Sequence, residues 1–438
     1  MFGVIYLILL CSYPIIQGSA GQINGTVITV SHIGLDTMKC CAKGKCPCSD
    51  LALALEQACN NTEIKITSSI DLLHNVQFGS VSNITITGYN NPTVKCDNKG
   101  GLVGNHFGSI RIQNVTLDRC NEILIGNFTH VYMTNCHFQN FNNINLTSDW
   151  SSSVCIHRTI FTYGSAYIEA ASVDIDNSNF HDSTSDGLVM FGNSHRYLII
   201  PITISGCNFT NNSGYSVKCI GYASTIESMP QLKIMSSNFS SNRNSAVYLE
   251  FSNVTLSQDL IFYKNVAVDS DGAAISAHSS TITMNGGSFL FDSNVADNNG
   301  GAILLNRSSV FVKQGSILFS NNTANNGGAV YIIGYMQLYH GSVFFCNNTA
   351  ENGGAIYING YGNVTYIDQT DLAFVDNDAS SNGGAVFVDT LEYRKNDQLI
   401  LYYYDLLMKA NCSNSNTASM VDNCAYFNVS SKCILFGN

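Results

Sequence analysis

The stretch FSNNTANNGGAVYI, Phe319 to Ile332, decides the fold of this chain. It recurs nearly letter for letter from Phe345 as FCNNTAENGGAIYI, and looser copies begin at Phe262, Phe291 and Phe374, at spacings of 29, 28, 26 and 29 residues. Between one double glycine and the next lie three short strand-like runs separated by Gly, Asn or Ser turns. In GGAILLNRSSVFVKQGSILFSNN (Gly300 to Asn322) the first run follows the glycines, the second centres on Val310 and the third on Ile317. Three strands per ~25-residue turn, with no helix-length pattern between them, predict an all-β parallel β-helix, a single-chain solenoid.

The physics of stacking gives each repeated letter a role. Coils pile up at the ~4.8 Å strand spacing, so equivalent positions form columns. Val254, Ile282, Val310, Met336 and Val364 on the second strand, and Phe262, Phe291, Phe319, Phe345 and Phe374 on the third, are expected to face inward. The Asn three residues after each phenylalanine (Asn265, Asn294, Asn322, Asn348 and Asn377) falls at a turn, where its amide can bond the coils above and below. The glycines permit a corner that a β-carbon would obstruct. Upstream the spelling weakens but persists, with phenylalanines at 138, 161 and 180 and the phrases ISGCNFTNNSG and MSSNFSSNRNSAVYLE. We therefore expect coils from residue 62 to 390, about a dozen, ~55 Å of stacked sheet.

A solenoid needs capped ends. SDLALALEQAC (Ser49 to Cys59) fits a short capping helix within a Cys-rich N-terminal cap spanning 21–61, and 391–438 reads as a Cys-containing C-terminal cap or the start of a truncated region. Residues 1–20, apolar and ending in Gly18, Ser19 and Ala20, read as a secretory signal peptide. No later run reaches the ~18 apolar residues a membrane span needs; LILYYYDLLM at 399–408 is the best.

Only 12% of the 438 residues are charged and the net charge is −11, with no basic run, which argues against nucleic acid and anionic membranes as partners. Sixteen Asn-x-Ser/Thr sequons agree with export and would supply solubility as glycans: Asn24, Asn60, Asn83, Asn114, Asn127, Asn145, Asn208, Asn211, Asn238, Asn253, Asn306, Asn321, Asn347, Asn363, Asn411 and Asn428. Fifteen cysteines follow the signal peptide, and in an oxidising compartment most are expected in disulfides. The candidates are Cys40, Cys41, Cys46, Cys48 and Cys59 in the first cap, Cys412, Cys424 and Cys433 in the last, and Cys96 with Cys120, which stacking on adjacent coils would bring within reach. KCCAKGKCPC lacks the spacing of a zinc knuckle, so we expect no metal and no cofactor.

The pairing of Phe-x-x-Asn with Gly-Gly-Ala-Ile/Val, written here as FDSN with GGAI, FSNN with GGAV, FCNN with GGAI and FVDN with GGAV, resembles the repeats of the chlamydial polymorphic membrane proteins, surface adhesins with a β-helical passenger. The likeness covers about 262–390. The whole chain, and ITITGYNNPTVKCDNKGG (Ile84 to Gly101) above all, also resembles secreted animal proteins with right-handed β-helix domains of the pectin-lyase-like superfamily. These resemblances imply a right-handed solenoid, and they imply the fold more strongly than the activity.

Many β-helix proteins are polysaccharide hydrolases or lyases, which need paired carboxylates a few ångströms apart. The best candidates are Asp174 and Asp176, which point the same way on a strand, with Asp182 and Asp186 about one strand further on and His181 and His195 nearby. The segments expected of a polygalacturonase, Asn-Thr-Asp, an adjacent Asp pair, Gly-His-Gly and Arg-Ile-Lys, are absent, and the bland reading of these residues is solvated turn and strand carboxylates.

The outward letters are more informative. The residue before the third-strand phenylalanine is Asn179, Asn208 and Asn238 in the middle coils, then Ile261, Leu290, Leu318, Phe344 and Ala373. An apolar outward strip implies something packed on it: the C-terminal segment, a partner protein or glycan, or a second copy of the chain. A second outward column, Tyr248, Leu304, Tyr331, Tyr357 and Phe387, alternates with inward Val247, Ile303, Val330, Ile356 and Val386; it can stack on sugars or stabilise the sheet by itself. The sequence thus predicts an exported, non-catalytic recognition scaffold acting outside the cell or on its surface, with a carbohydrate-active enzyme as the alternative.

Overall fold

The computed structural model describes residues 26–35, 48, 50–56, 58–72, 74–78, 83–148, 152–192, 201–221, 229–360, 362–366, 370–389, 411–412, 416–418 and 425–428. They form a parallel β-solenoid of about 11 turns with almost no helix. Three ladders run through its middle, and every strand pairing in them is parallel. The first stacks Ser165–Glu169, Leu188–Phe191, Val217–Ile220, Val247–Glu250 and Ile275–His278. The second stacks Ser153–His157, Ser172–Asp176, Pro201–Ser205, Gln231–Met235 and Asn253–Ser257. The third stacks Ile160–Thr162, Asn179–His181, Asn208–Thr210, Asn238–Ser240 and Leu260–Tyr263.

Alternation fixes which letters go inside. The second-ladder column Val254, Ile282, Val310, Met336 and Val364 and the first-ladder column Val247, Ile303, Val330, Ile356 and Val386 are buried as their register requires. On the third ladder ten phenylalanines, from Phe138 to Phe374, stack one per coil with near-parallel rings and centroids 4.5 to 5.2 Å apart. The rise of the solenoid imposes this face-to-face spacing, so the rings gain mainly from apolar burial.

The asparagine column is a continuous amide chain. From Asn212 through Asn242, Asn265, Asn294, Asn322, Asn348 and Asn377, each side-chain amide donates to the Oδ1 of the next asparagine, ending on Asn416, and all eight are fully buried. Each amide also donates to the carbonyl of the phenylalanine in the preceding coil, as Asn322 does to Phe291 at 2.9 Å. Burying the asparagines is tolerable because these bonds satisfy them and the corner backbone together.

Two features lie beyond the expectation from sequence. A fourth, short ladder of one to five residues per coil joins Val266–Ala267, Val295–Ala296, Thr323, Thr349–Asn352, Asp378–Asn382 and Thr417–Ala418, beside a small buried cluster of Ala267, Ala273, Ala296 and Ala324. A second amide column precedes the glycines: Asn382 donates to Asn352, Asn352 to Asn326, Asn326 to Asn299, and Asn299 to the Asp271 carboxylate. It runs opposite to the first, and the acceptor-only side chain sits where acceptance alone is needed. At the corner itself Gly327 has φ 64°, and a β-carbon there would lie 2.2 Å from the Val330 carbonyl oxygen.

The stack also reaches past the expected limits of 62 and 390. Val27–Leu35 already pairs with Thr62–Ile66 on the second ladder, and Leu51–Glu56 is a short helix opened by the Asp50 carboxylate, which accepts from the Ala52 amide at 2.8 Å. Leu51, Ala54 and Leu55 of that helix are buried against the first coils. At the other end Asn411–Cys412, Thr417–Ala418 and Ala425–Asn428 pair with the coil before them, so a further, degenerate coil follows residue 390.

Candidate functional site

Because the interior is spoken for, the outward side chains are the candidates. Two of the four aspartates lie on a second-ladder strand and two in the turn that joins the third ladder to the first. Asp174 and Asp176 share one strand, outward between inward Val173 and Ile175. Asp176 bonds Nδ1 of His157, its register partner one coil earlier. Burial raises the Asp174 carboxyl above its ordinary range, His157 pulls it down, and Asp176 pushes it up again. Asp182 follows a strand of the third ladder and accepts from His181 Nδ1 at 2.8 Å; the Thr162 hydroxyl bridges His181 and His137 at 3.0 and 3.2 Å. Asp186 precedes a strand of the first ladder. Of the four, only Asp174 and Asp176 are brought together on one strand, and His195 lies outside the described residues.

The outward aromatic column divides in two. Tyr331, Tyr357 and Phe387 stack on one another at 4.8 and 4.9 Å, Tyr357 donates to Asp389 at 2.9 Å, and Tyr357 and Phe387 are only 9% and 5% exposed. Their ring faces are occupied by each other. Tyr248 is separated from them along the column by Ser276 and Leu304 and belongs to another group. Its ring lies 4.6 Å from Tyr215 and 5.3 Å from His278, and its hydroxyl donates to Glu250 Oε2 at 3.4 Å. The Lys218 ammonium sits 5.0 Å from the Tyr215 centroid, 5.9 Å from that of Tyr248 and 3.5 Å from Asp186 Oδ2. Burial lifts the Tyr215 phenol and pushes that of Tyr248 up to about 12, and it holds His278 below its usual value against the pull of Glu250 and Asp271. Sequence reasoning named only Tyr248 and Asp186 of this group. The signal for the rest is weak, since Tyr215, Lys218, Glu250 and His278 stand at outward or corner positions that do not repeat.

On the third ladder the register aligns Asn179, Asn208, Asn238, Ile261, Leu290, Leu318, Phe344, Ala373 and Asn411 in one column. Asn208 donates to Asn179 at 2.9 Å. Ile261 is 42% exposed, Leu290, Leu318 and Phe344 are half-buried, and Ala373 is buried.

Sequon asparagines divide by position. Asn60, Asn83, Asn127, Asn208, Asn211, Asn321 and Asn347 are exposed, whereas Asn114, Asn145, Asn238, Asn253, Asn306 and Asn363 are half-buried. Asn24 lies outside the described residues, as do the side chains of Asn411 and Asn428. Cys96 and Cys120 are joined by a disulfide with Cα atoms 4.7 Å apart. Cys48 is disulfide-bonded and so is Cys155, which the sequence did not single out. The Cys59 backbone amide donates to Thr62 Oγ1 at 3.0 Å and its carbonyl accepts from that hydroxyl at 2.7 Å, while Cys40, Cys41, Cys46, Cys424 and Cys433, and the side chain of Cys412, fall outside the described residues. Cys136, Cys207 and Cys219 are buried thiols pushed up by burial to about 11, 12 and 11, which makes them structural rather than reactive. Among the described residues no three His, Cys, Asp or Glu side chains cluster as a metal site would require, and no helix is long and apolar enough to cross a membrane.

No curated protein is matched by the sequence. Among solved structures the chain is similar to the catalytic domain of Agl-KA at 13% identity, over 90% of this chain and 68% of that one; the TM-score of 0.30 is too low to support any argument about activity. The family model of the Chlamydia polymorphic membrane protein repeat matches residues 288–306, 316–333 and 342–359. The coils that spell the phenylalanine, asparagine and glycine columns most regularly are therefore similar to chlamydial polymorphic membrane protein repeats, set within a parallel β-solenoid.

Proposed function

We propose that the chain is an exported, non-catalytic recognition protein, adhesin-like, whose right-handed solenoid displays a contact strip of Ile261, Leu290, Leu318 and Phe344. One observation carries this reading. Along the third ladder the outward column changes from Asn179, Asn208 and Asn238 to these apolar residues, while the phenylalanine next to each never changes. The interior is held constant, so the outward letters are the ones free to serve contact. An apolar column on a solvent-facing sheet favours a protein or glycan partner, or a second copy of the chain. The similarity to polymorphic membrane protein repeats supports a surface-exposed role. The test replaces Leu290, Leu318 and Phe344 with Ser together. Loss of cell binding or self-association at an unchanged melting temperature supports the reading; intact binding with a lowered melting temperature overturns it in favour of internal cover.

A second reading rests on Asp174. A half-buried carboxyl with a raised pKa, two residues from a carboxylate paired with His157, is the kind of asymmetry an acid-base hydrolase uses on polysaccharides. Turnover of a polysaccharide that Asp174→Asn and Asp176→Asn both abolish would displace the scaffold reading.

A further inference from the structure

The group around Lys218 is built differently from the rest of the solenoid's exterior. Three rings from consecutive coils, Tyr215, Tyr248 and His278, fan along the first ladder with centroids 4.6 and 5.3 Å apart, spanning ~10 Å at the strand spacing. Polar groups flank them on both sides: Asp186 and Lys218 on one, Glu250 and Ser276 on the other. Each is held in place, Asp186 by the Tyr215 amide at 2.9 Å, Lys218 by Asp186 and two rings, Glu250 by the Tyr248 hydroxyl, and His278 by Ser276 at 3.1 Å.

What distinguishes this group from a self-satisfied stabilising cluster is its unused capacity. Among the described residues the Tyr215 hydroxyl, Oε1 of Glu250 and Nδ1 of His278 make no hydrogen bond, and Asp186 is the one carboxylate near Lys218. None of these atoms is sealed from solvent, since the buried atoms without a partner are Asn238 Oδ1 and Asn363 Oδ1. Unlike buried Tyr357 and Phe387, the Tyr215, Tyr248 and His278 rings are half-buried and tilted by 41° and 35° to one another. Such rings beside converging, unspent donors and acceptors match a pyranose ring, which offers apolar C–H faces and a girdle of hydroxyls. Charge narrows the class. Asp186 and Glu250 outnumber Lys218, leaving one net negative charge, so a uronate or sulfated sugar would meet repulsion. We propose that Tyr215, Lys218, Tyr248, Glu250 and His278 form a binding site for a neutral oligosaccharide, with two sugar rings lying along the coils of the first ladder. The site is on a different ladder from the apolar strip, so either can fail without the other.

The test titrates the full chain calorimetrically with neutral tetrasaccharides of glucose, N-acetylglucosamine, mannose and galactose, and with a tetramer of galacturonate. At least one neutral tetramer should bind and the galacturonate tetramer should bind more weakly. Tyr215→Ala and Tyr248→Ala should each weaken binding about three- to tenfold, and Glu250→Gln should weaken it at an unchanged melting temperature. Tyr248→Phe keeps the ring and guards against misfolding, and it should bind within about threefold of the parent. The proposal is overturned if no neutral tetramer binds, if galacturonate binds best, or if Tyr215→Ala and Glu250→Gln both bind like the parent.

Discussion

Replacing Asn322 with Ala tests the physical account of the solenoid most directly. Its Nδ2 donates to the Phe291 carbonyl at 2.9 Å and to Asn348 Oδ1 at 2.9 Å, and its Oδ1 accepts from the backbone and side-chain amides of Asn294, both at 3.0 Å. Some partners have alternatives, because Asn348 Oδ1 keeps the Asn322 backbone amide at 3.1 Å and Asn294 Nδ2 keeps the Phe262 carbonyl at 3.0 Å. The Phe291 carbonyl keeps the ladder bond that its parallel register with the next coil provides, so one group is left buried and unmet, the Asn294 backbone amide. At roughly 1–3 kcal/mol for that one orphaned donor, the variant should lose about 1–3 kcal/mol. Circular dichroism in a urea titration would measure this, with exposed Asn325 as the control, whose replacement by Ala should cost less than about 0.5 kcal/mol. Asn322→Asp adds a pH signature. It aims a carboxylate at the Phe291 carbonyl and Asn348 Oδ1, so its folded pKa must rise above the unfolded ~3.9. The folded variant then holds its proton longer; it is best tolerated below about pH 4 and loses stability as pH rises through the folded value. The reasoning is refuted if Asn322→Ala costs no more than Asn325→Ala, or if the Asp variant is the more stable at neutral pH.

Two further outcomes follow from the same structure. Converting Cys96 and Cys120 together to Ser opens a crosslink of sequence separation 24 and should cost about 3 kcal/mol, read as a urea midpoint lower than that of the oxidised parent protein. Burial holds His130, His137 and His278 below their ordinary value, so the unfolded chain takes up protons first. The stability they confer is complete above about pH 6.5 and is lost as pH falls through the lower folded values; thermal scans from pH 7.5 to 5 should show a falling midpoint, and a flat profile would contradict it.

How much of this was legible in sequence follows from which letters stacking must repeat. Phe319 and Asn322 sit at positions that stack on the same residue type in coil after coil, so their period reveals the coil. The fourth ladder was also written, as Asn-x-Ala in Asn294–Ala296, Asn322–Ala324 and Asn348–Ala350, but so short a strand beside asparagine reads as a turn. The same holds for the second amide column, one letter before each double glycine. The last coil was hidden because Cys412 stands at the phenylalanine position and one extra residue separates it from Asn416. The first was hidden because its strand, Val27–Leu35, is parted from the next by the helix. The Lys218 group could not be found by repetition at all, since no stacking rule governs a side chain that faces solvent.

The two amide columns give the solenoid a grammar for changing its length. In one, every asparagine hands its proton forward along the chain; in the other, backward, to a carboxylate that only receives. An interior coil enters and leaves each column through identical joints, so a whole coil can be gained or deleted with every donor still finding an acceptor. A partial coil cannot, and neither can the terminal rungs be exchanged, because one end must offer what the other can only take. The length of the outer face can thus be adjusted in steps of one coil, while the chemistry of the interior stays fixed.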